Sequence, residues 1–376
     1  MDIYVFNKEF EPLGIIDSFT SFIWRREFYK TGTFELHLSL PDKDEEAAKL
    51  IALLRKDQVL LKEDSPEEAA YIDTVVIDDE ENETLVVSGF FVENFFKDRL
   101  VWGEQSKAGS IESILKHFVS KNCIQPDKTN RIIPHLTLSP DRGITKQVNE
   151  VDSYGNLVEL IEELSLKYDV GWRVLFNLAT KQYIFDVYDG MDRTINQSAN
   201  PRAIFSLQYE NVKEQSFTDS NSNYKNMALI AGQGEGSARK LVTINDHLSG
   251  FERRELFVDA RDLPPTRESN VEGEDDIPLT DAEYEMLLIE RGNSGLAETQ
   301  IIKTFESGIY ISSNLVYKQD FDLGDKVTIQ NDRWGLILNT RITSVEEVYE
   351  NDIVDIRVNF GSNIPTLIDK IQQKTR

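Results

Sequence analysis

Apolar and polar residues alternate through much of the chain. Phe34, Leu36, Leu38 and Leu40 are interleaved with Glu35, His37 and Ser39, and Val354, Ile356, Val358 and Phe360 with Asp355, Arg357 and Asn359. A period of two sends successive side chains to opposite faces, so both runs predict strands with one buried and one wet face. The 20 Phe and 13 Tyr fit a sheet-rich protein. Four segments change to the helical period. Ala47, Leu50, Ile51 and Leu54 follow Pro41-Asp42, and Ile111, Ile114, Leu115, Phe118 and Val119 follow Ser110, which is placed to cap a helix. Leu157, Leu160, Ile161 and Leu164 repeat the pattern, with Asn156 and Glu159 at capping-box-like spacing. Thr280 and Glu283 form a capping box ahead of Tyr284, Leu287 and Leu288.

Two stretches read as connections. Gln197–Pro201 is polar and ends in Asn-Pro. Asp259–Pro278 carries Pro264, Pro265 and Pro278 with the acids Glu272, Glu274, Asp275 and Asp276, the signature of a long exposed loop.

A faint repeat links the two ends. Asp57-Gln58-Val59-Leu60-Leu61 resembles Asp325-Lys326-Val327-Thr328-Ile329. At nearly the same interval, Tyr71–Val75 parallels Leu338–Ile342. Glu81-Asn82-Glu83, Thr84–Val87 and Gly89-Phe90 parallel Glu350-Asn351-Asp352, Ile353–Ile356 and Phe360-Gly361. Two readings stay open: generic hairpins that match by chance, or a small β-barrel used twice with other material between the copies.

Composition narrows the function. At roughly 100–200 residues per domain, a chain of 376 residues holds two to four domains. The chain has 41 Lys+Arg against 66 Asp+Glu, a net charge of −25. Such a surface does not neutralise phosphates or dock on an anionic membrane. No run of apolar residues is long enough to span a bilayer, and Met1–Phe10 lacks the apolar stretch of a secretory signal. A single cysteine, Cys123, excludes an internal disulfide and reads as a small buried hydrophobe.

Catalytic signals are weak. His37, His117, His135 and His247 are scattered, with no metal-binding spacing. Gly232-Gln233-Gly234-Glu235-Gly236 lies between two predicted strands rather than before a helix, so it reads as a hairpin turn and not a phosphate loop. Asp78, Asp79, Glu80, Glu81 and Glu83 lack a calcium-loop pattern and read as a solvated hairpin tip. The doublets Arg25-Arg26 and Arg253-Arg254, next to aromatics, fit interface arginines or solvated strand faces. No catalytic residue, cofactor or metal follows from the sequence.

Taken in order, several of these segments resemble a known family. Tyr4-Val5-Phe6, Leu13–Asp17, Ser21–Tyr29 and Gly32–Leu36 at the start, Gly171–Val174 and Phe185–Gly190 in the middle, and Phe321–Ile329 near the end are similar to siphophage tail-hub proteins. These are the tail-associated (Tal-like, Gp-type) baseplate hub proteins of long-tailed phages and prophages. The resemblance implies a non-enzymatic virion protein at the tail tip. It implies a homotrimer whose subunits each carry two related barrels, so that three chains match a sixfold tail tube to a threefold tip around the exit channel for DNA. Implied partners are the distal tail protein, the tape-measure protein and a tip fibre or lysin. DNA passes without specific binding.

The expected fold is mainly β with α+β insertions: two related small β-barrel domains plus inserted α/β modules. The boundaries are 1–100 for the first barrel, 101–200 for an α/β insertion, and 201–258 with 296–365 for the second barrel. Residues 259–295 form an acidic loop and helix inserted in it, and 366–376 a tail. Asp57, Val59, Asp325 and Val327 mark equivalent barrel positions. Pro264, Pro265, Glu272, Glu274, Asp275 and Asp276 mark a loop that closes the channel or meets a partner. With the chain stopping soon after the second barrel, lysis or host recognition falls to another polypeptide. Alternative functions are a cell-wall hydrolase using a carboxylate pair, and a glycan-binding host-recognition protein with Trp102, Trp172 and Trp334 stacking on sugars.

Overall fold

The computed structural model describes residues 1–78, 83–267, 276–310, 314–350 and 353–361. The chain opens with β1 (Ile3–Phe6), β2 (Pro12–Ile16), β3 (Ser21–Glu27) and β4 (Thr33–Ser39). Helix α1 (Asp44–Leu53) follows, then β5 (Val59–Lys62), β6 (Ser65–Asp78) and β7 (Thr84–Phe91). The strands lie in the order β3-β4-β7-β6-β5-β1-β2, every pair antiparallel. Alternation sends Phe22, Trp24, Phe34, Leu36, Ile72, Leu85 and Val87 into one core. Leu50, Ile51 and Leu53 of α1 close over that core, and its first-turn acids Asp44, Glu45 and Glu46 suit the positive end of the helix.

An α/β unit follows: β8 (Glu104–Ser110), α2 (Ile111–Val119), β9 (Leu136–Leu138), β10 (Gln147–Ser153), α3 (Leu157–Tyr168), β11 (Gly171–Asn177) and β12 (Gln182–Tyr188). The caps sit where the sequence predicts them. Ser110 Oγ accepts from the Ser113 amide at 3.2 Å, and Asn156 Oδ1 accepts from the Val158 amide at 3.0 Å. The unit shares a core with the first meander, where Phe10 stacks on Phe176 with ring centres 4.6 Å apart.

Next come β13 (Ile204–Ser206) and β14 (Val212–Ser220), then a second inserted unit. It holds β15 (Met227–Ala231), β16 (Leu241–Ile244), β17 (Glu255–Asp259), the two-residue strands β18 (Thr266–Arg267) and β19 (Ile277–Pro278), and α4 (Asp281–Glu298). β15 pairs with β16 through the predicted glycine turn and with β17 in parallel. Thr280 and Glu283 make the reciprocal capping box of α4. Gly292 brings α4 onto the sheet, because a Cβ there would meet the Ile230 side chain at 2.6 Å. The inserted unit therefore begins near Met227 and not at residue 259 as the sequence predicts. Among the described residues β15–β17 ladder only with one another, and they bury Ala228 and Ile230 against Tyr284 and Leu288.

The chain returns with β20 (Ile302–Ile309), β21 (Lys326–Asn331), β22 (Leu336–Glu350) and β23 (Ile353–Gly361). Their order is β14-β20-β23-β22, with β21 on β22 and β13 on β21. This repeats the ladder β3-β4-β7-β6-β5-β1, except that β13 meets β21 in parallel whereas β1 meets β5 antiparallel. Both long strands carry a register slip at a matching point, between Ile72 and Thr74 in β6 and between Ile342 and Ser344 in β22. The Asp57 amide donates to the Ile72 carbonyl, and the Gly324 amide to the Ile342 carbonyl. The ladders thus set Asp57 against Gly324, one residue from the sequence match with Asp325, and Val59 and Val327 differ by the same step. Asp57 and Gly324 share left-handed backbone, with φ of 72° and 90°.

Among the described residues the two meanders do not close into barrels. β3 pairs along β22, and among the described residues they form one open 13-stranded sheet. The protein is mainly β with α/β insertions, and no described helix is long and apolar enough to cross a membrane.

Gly89 lies opposite the bulge of β6, where a Cβ would come within 2.0 Å of the Tyr71 carbonyl oxygen. Gly89→Ala is expected to destabilise the chain by about 1–3 kcal/mol through forced backbone displacement, read as a lowered Tm in thermal unfolding.

Candidate assembly site

The described residues offer little for catalysis. They contain no group of three or more His, Cys, Asp or Glu arranged to hold a metal ion. Cys123 is buried, and burial pushes its thiol up to about 12, far from a reactive thiolate. Trp172 is buried, which removes it from sugar stacking. Trp102 is exposed, but Lys128 and Arg131 lie 4.7 and 4.8 Å from its ring centre. Trp334 is half exposed at the rim of the Phe305 cluster.

Charge concentrates instead where the two meanders meet. Alternation along β3 turns Trp24 and Arg26 inward and Ile23 and Arg25 outward. On the inner side Arg26 pairs with Glu68 and with Asp322, both at 2.6 Å, and donates to Tyr317 Oη at 2.8 Å. Lys62, fully buried, pairs with Glu347 and donates to Tyr349 Oη at 3.2 Å, and its ammonium sits 5.6 Å from the Trp24 ring centre. Glu347 also accepts from Tyr317 at 3.0 Å and Tyr349 at 2.6 Å. Arg26, Lys62 and Glu68 belong to the first meander, and Tyr317, Asp322, Glu347 and Tyr349 to the second half of the chain.

Taking such charges out of water costs several kcal/mol per ion, so each must keep its partner. Burial opposes ionisation of Glu347, but Lys62 and Lys318 outweigh it and hold its carboxyl down at about 2. Burial likewise opposes the charge of Arg26, and Glu68, Tyr317 and Asp322 override it. The cluster permits one docking of the meanders, because any other leaves a buried ion unpaired. A second tie joins the α/β unit to the same corner. Arg341 holds Asp169 at 2.7 Å and Asp189 at 2.8 Å, and Asp169 also accepts from Tyr29 Oη at 2.7 Å.

The outer face of the sheet is wet and mostly acidic across the seam. Glu346 bridges Arg25 at 2.6 Å and Arg357 at 3.2 Å. Glu27, Glu35, Glu306, Glu350 and Asp355 occupy the same face, as their cross-strand partners require.

The residues singled out from sequence fall in three places. Asp57 is exposed and pairs with Lys8 at 2.7 Å, while Asp325 is buried and accepts from Arg193 at 2.8 Å and the Met191 amide at 2.7 Å. Val59 and Val327 are both core residues. Pro264, Pro265 and Asp276 are exposed beside the β18–β19 pair, away from the seam, and Glu272, Glu274 and Asp275 lie outside the described residues. The seam residues Lys62 and Glu347 were missed. Their signal was a lysine closing the apolar run Val59-Leu60-Leu61 and an acid at an inward position of β22.

The sign of the acid response follows from Glu347. Its carboxyl lies at about 2 against an ordinary 4.5, so its stabilisation is complete above about pH 4.5 and is lost as pH falls toward 2. Glu347→Gln, which leaves Lys62 buried without its anion, is expected to cost about 3–5 kcal/mol at pH 7. Thermal melts from pH 7 down to pH 2 check this: the gap to the native chain narrows steadily below pH 4.5. An equal gap at pH 7 and pH 2 contradicts the ionic account.

Three solved structures share the fold over nearly the whole chain. The 43 kDa tail protein of prophage MuSo2 from Shewanella oneidensis has a TM-score of 0.55 at 12% identity, covering 96% of this chain and 98% of that one. A tail protein from Neisseria meningitidis MC58 has a TM-score of 0.54 at 10% identity, covering 96% of both chains. Prophage tail protein gp18 from Listeria monocytogenes EGD-e has a TM-score of 0.53 at 12% identity, covering 100% of this chain and 98% of that one. No curated protein matches the sequence. A family model matches residues 2–362, and the chain accordingly belongs to the Siphovirus ReqiPepy6 Gp37-like proteins, a siphovirus tail protein family.

Proposed function

We propose that this tail protein is the hub of the tail tip: a homotrimer that joins a sixfold tail tube to a threefold tip and forms the exit channel for DNA. The observation that carries this reading is the use of one ladder order twice in one sheet, β3-β4-β7-β6-β5 and β14-β20-β23-β22-β21. Three such chains present six similar meanders around an axis, which is what a contact with a sixfold tube requires.

The charge pattern supports the same reading. Core clusters and α1 cover the inner face of the sheet, and the first α/β unit packs on the other face only along β1, β5 and the first half of β6. The face left open carries Glu27, Glu35, Glu306, Glu346, Glu350 and Asp355 against Arg25, Lys213 and Arg357. Turned toward a channel, it repels the phosphate backbone, so DNA slides through without being held. In this reading the chain is not an enzyme. It meets the distal tail protein above and a tip fibre or lysin below, with the tape-measure protein in the channel. The segment with Pro264, Pro265 and Asp276 is a candidate channel-closing or partner loop.

The test is the position of the protein in the particle. Labelling purified tails with an antibody to this chain should mark the distal end alone, and deleting its gene should give tails without an organised tip. Labelling along the tube, or infectious particles lacking the protein, would overturn the proposal.

A further inference from the structure

Among the open edges of the described sheet, two match each other, and the seam inside the chain says how they fit. β22 is shared along one side: Leu336–Arg341 pairs with β21, and Ser344–Glu350 pairs with β3. β6 has the same build. Its first half pairs with β5, but among the described residues no strand lies beside Thr74–Ile77 on that side. At one end of the sheet β14 holds the place of β3, and among the described residues only β20 pairs with it. Every chain thus offers one edge of the kind that β3 fills and one of the kind that it supplies.

We infer that β14 of one copy pairs antiparallel with Thr74–Ile77 of β6 in the next copy, in the register that β3 and β22 show within the chain. The inference rests on the hub reading and adds the contact that would build it.

The register follows from cross-strand rows. In the first meander Ile72, Gly89, Phe34 and Trp24 stand side by side, and in the second Ile342, Phe360, Phe305 and Phe217 do. Phe217 therefore holds the position of Trp24. Across the seam Trp24 faces Glu347 and Arg25 faces Glu346. Counted from the two bulges, Glu347 corresponds to Ile77 and Glu346 to Val76. Phe217 of one copy is thereby placed opposite Ile77 of the next, and Thr218 opposite Val76.

The side chains suit this pairing. Ile77 and Val76 are 51% and 49% exposed, an apolar pair on a bare strand edge. Such an edge is a liability in a monomer and a template for another strand. Aromatic and β-branched neighbours across strands are among the favourable pairs, at about 0.2–1 kcal/mol each. The ionic pair Arg25–Glu346 fixes the internal seam, and the uncharged pair Thr218–Val76 takes its place at the external one. Because front edge meets back edge, the contact is head-to-tail, the kind that closes into a ring when each copy is turned by a third of a circle.

Cysteine pairs in purified tail particles test the register, in a Cys123→Ala background with diamide as oxidant. Ile77→Cys with Phe217→Cys, or Val76→Cys with Thr218→Cys, should link subunits into a dithiothreitol-sensitive trimer on denaturing gels. The shifted pair Ile77→Cys with Thr218→Cys should give at least tenfold less. Equal linking by the shifted pair, or no linking in particles where the label marks the tip, overturns the register and leaves the hub reading standing. Loss of the tip label from unmodified particles overturns both. As a second variant, Ile77→Asp should leave the Tm of the isolated chain unchanged and keep the protein out of the tip. Normal incorporation of that variant contradicts the inference.

Discussion

Where β3 lies along β22, two meanders become one sheet, and the ions beneath them cannot part without stranding Lys62 or Glu347 in an apolar core. This constraint sets the rest of the structure. Its cost is large because charges are buried, and it is offset only in the geometry where Arg26 meets Glu68 and Asp322 while Lys62 meets Glu347. A seam of apolar side chains alone would tolerate a slip of the two halves. A buried ion network does not, so the two halves of the sheet are held at one angle.

The insertions leave the meanders intact. The first α/β unit follows β7 and packs under β1, β5 and β6, and the second interrupts the step from β14 to β20 at the far end of the sheet. The first unit meets the outer face only at Tyr71 and Phe90 and the strands beyond them, beside the acidic stretch around Glu346. Among the described residues, no strand of either unit pairs with the distal end of β6 or the outer side of β14.

Local order was legible in the sequence. The alternation around Leu36 and Val358, the caps at Ser110, Asn156 and Thr280, and the glycine turn before β16 are all set by neighbours a few residues apart, and they fold as read. Non-local pairing was not. β15–β17 look like any half-buried strands, and only Gly292 and Leu288 of a later helix reveal which core they join. The match of Asp57 to Asp325 rewarded residue identity, whereas the ladder is registered by the carbonyls of Ile72 and Ile342. Barrels were expected from two short repeats because periodicity carries no information on closure. Lys62 and Glu347 are far apart in sequence, and nothing local pairs them.

The central claim is that one chain supplies two equivalent wall segments of a ring. Electron cryomicroscopy of the tail tip, reconstructed with threefold symmetry, tests it most directly. The account predicts six β-meanders lining the channel, alternately from the N-terminal and C-terminal halves of three chains, with the acidic face inward. A channel wall built from one half of the chain alone, or a basic inner face, would contradict it.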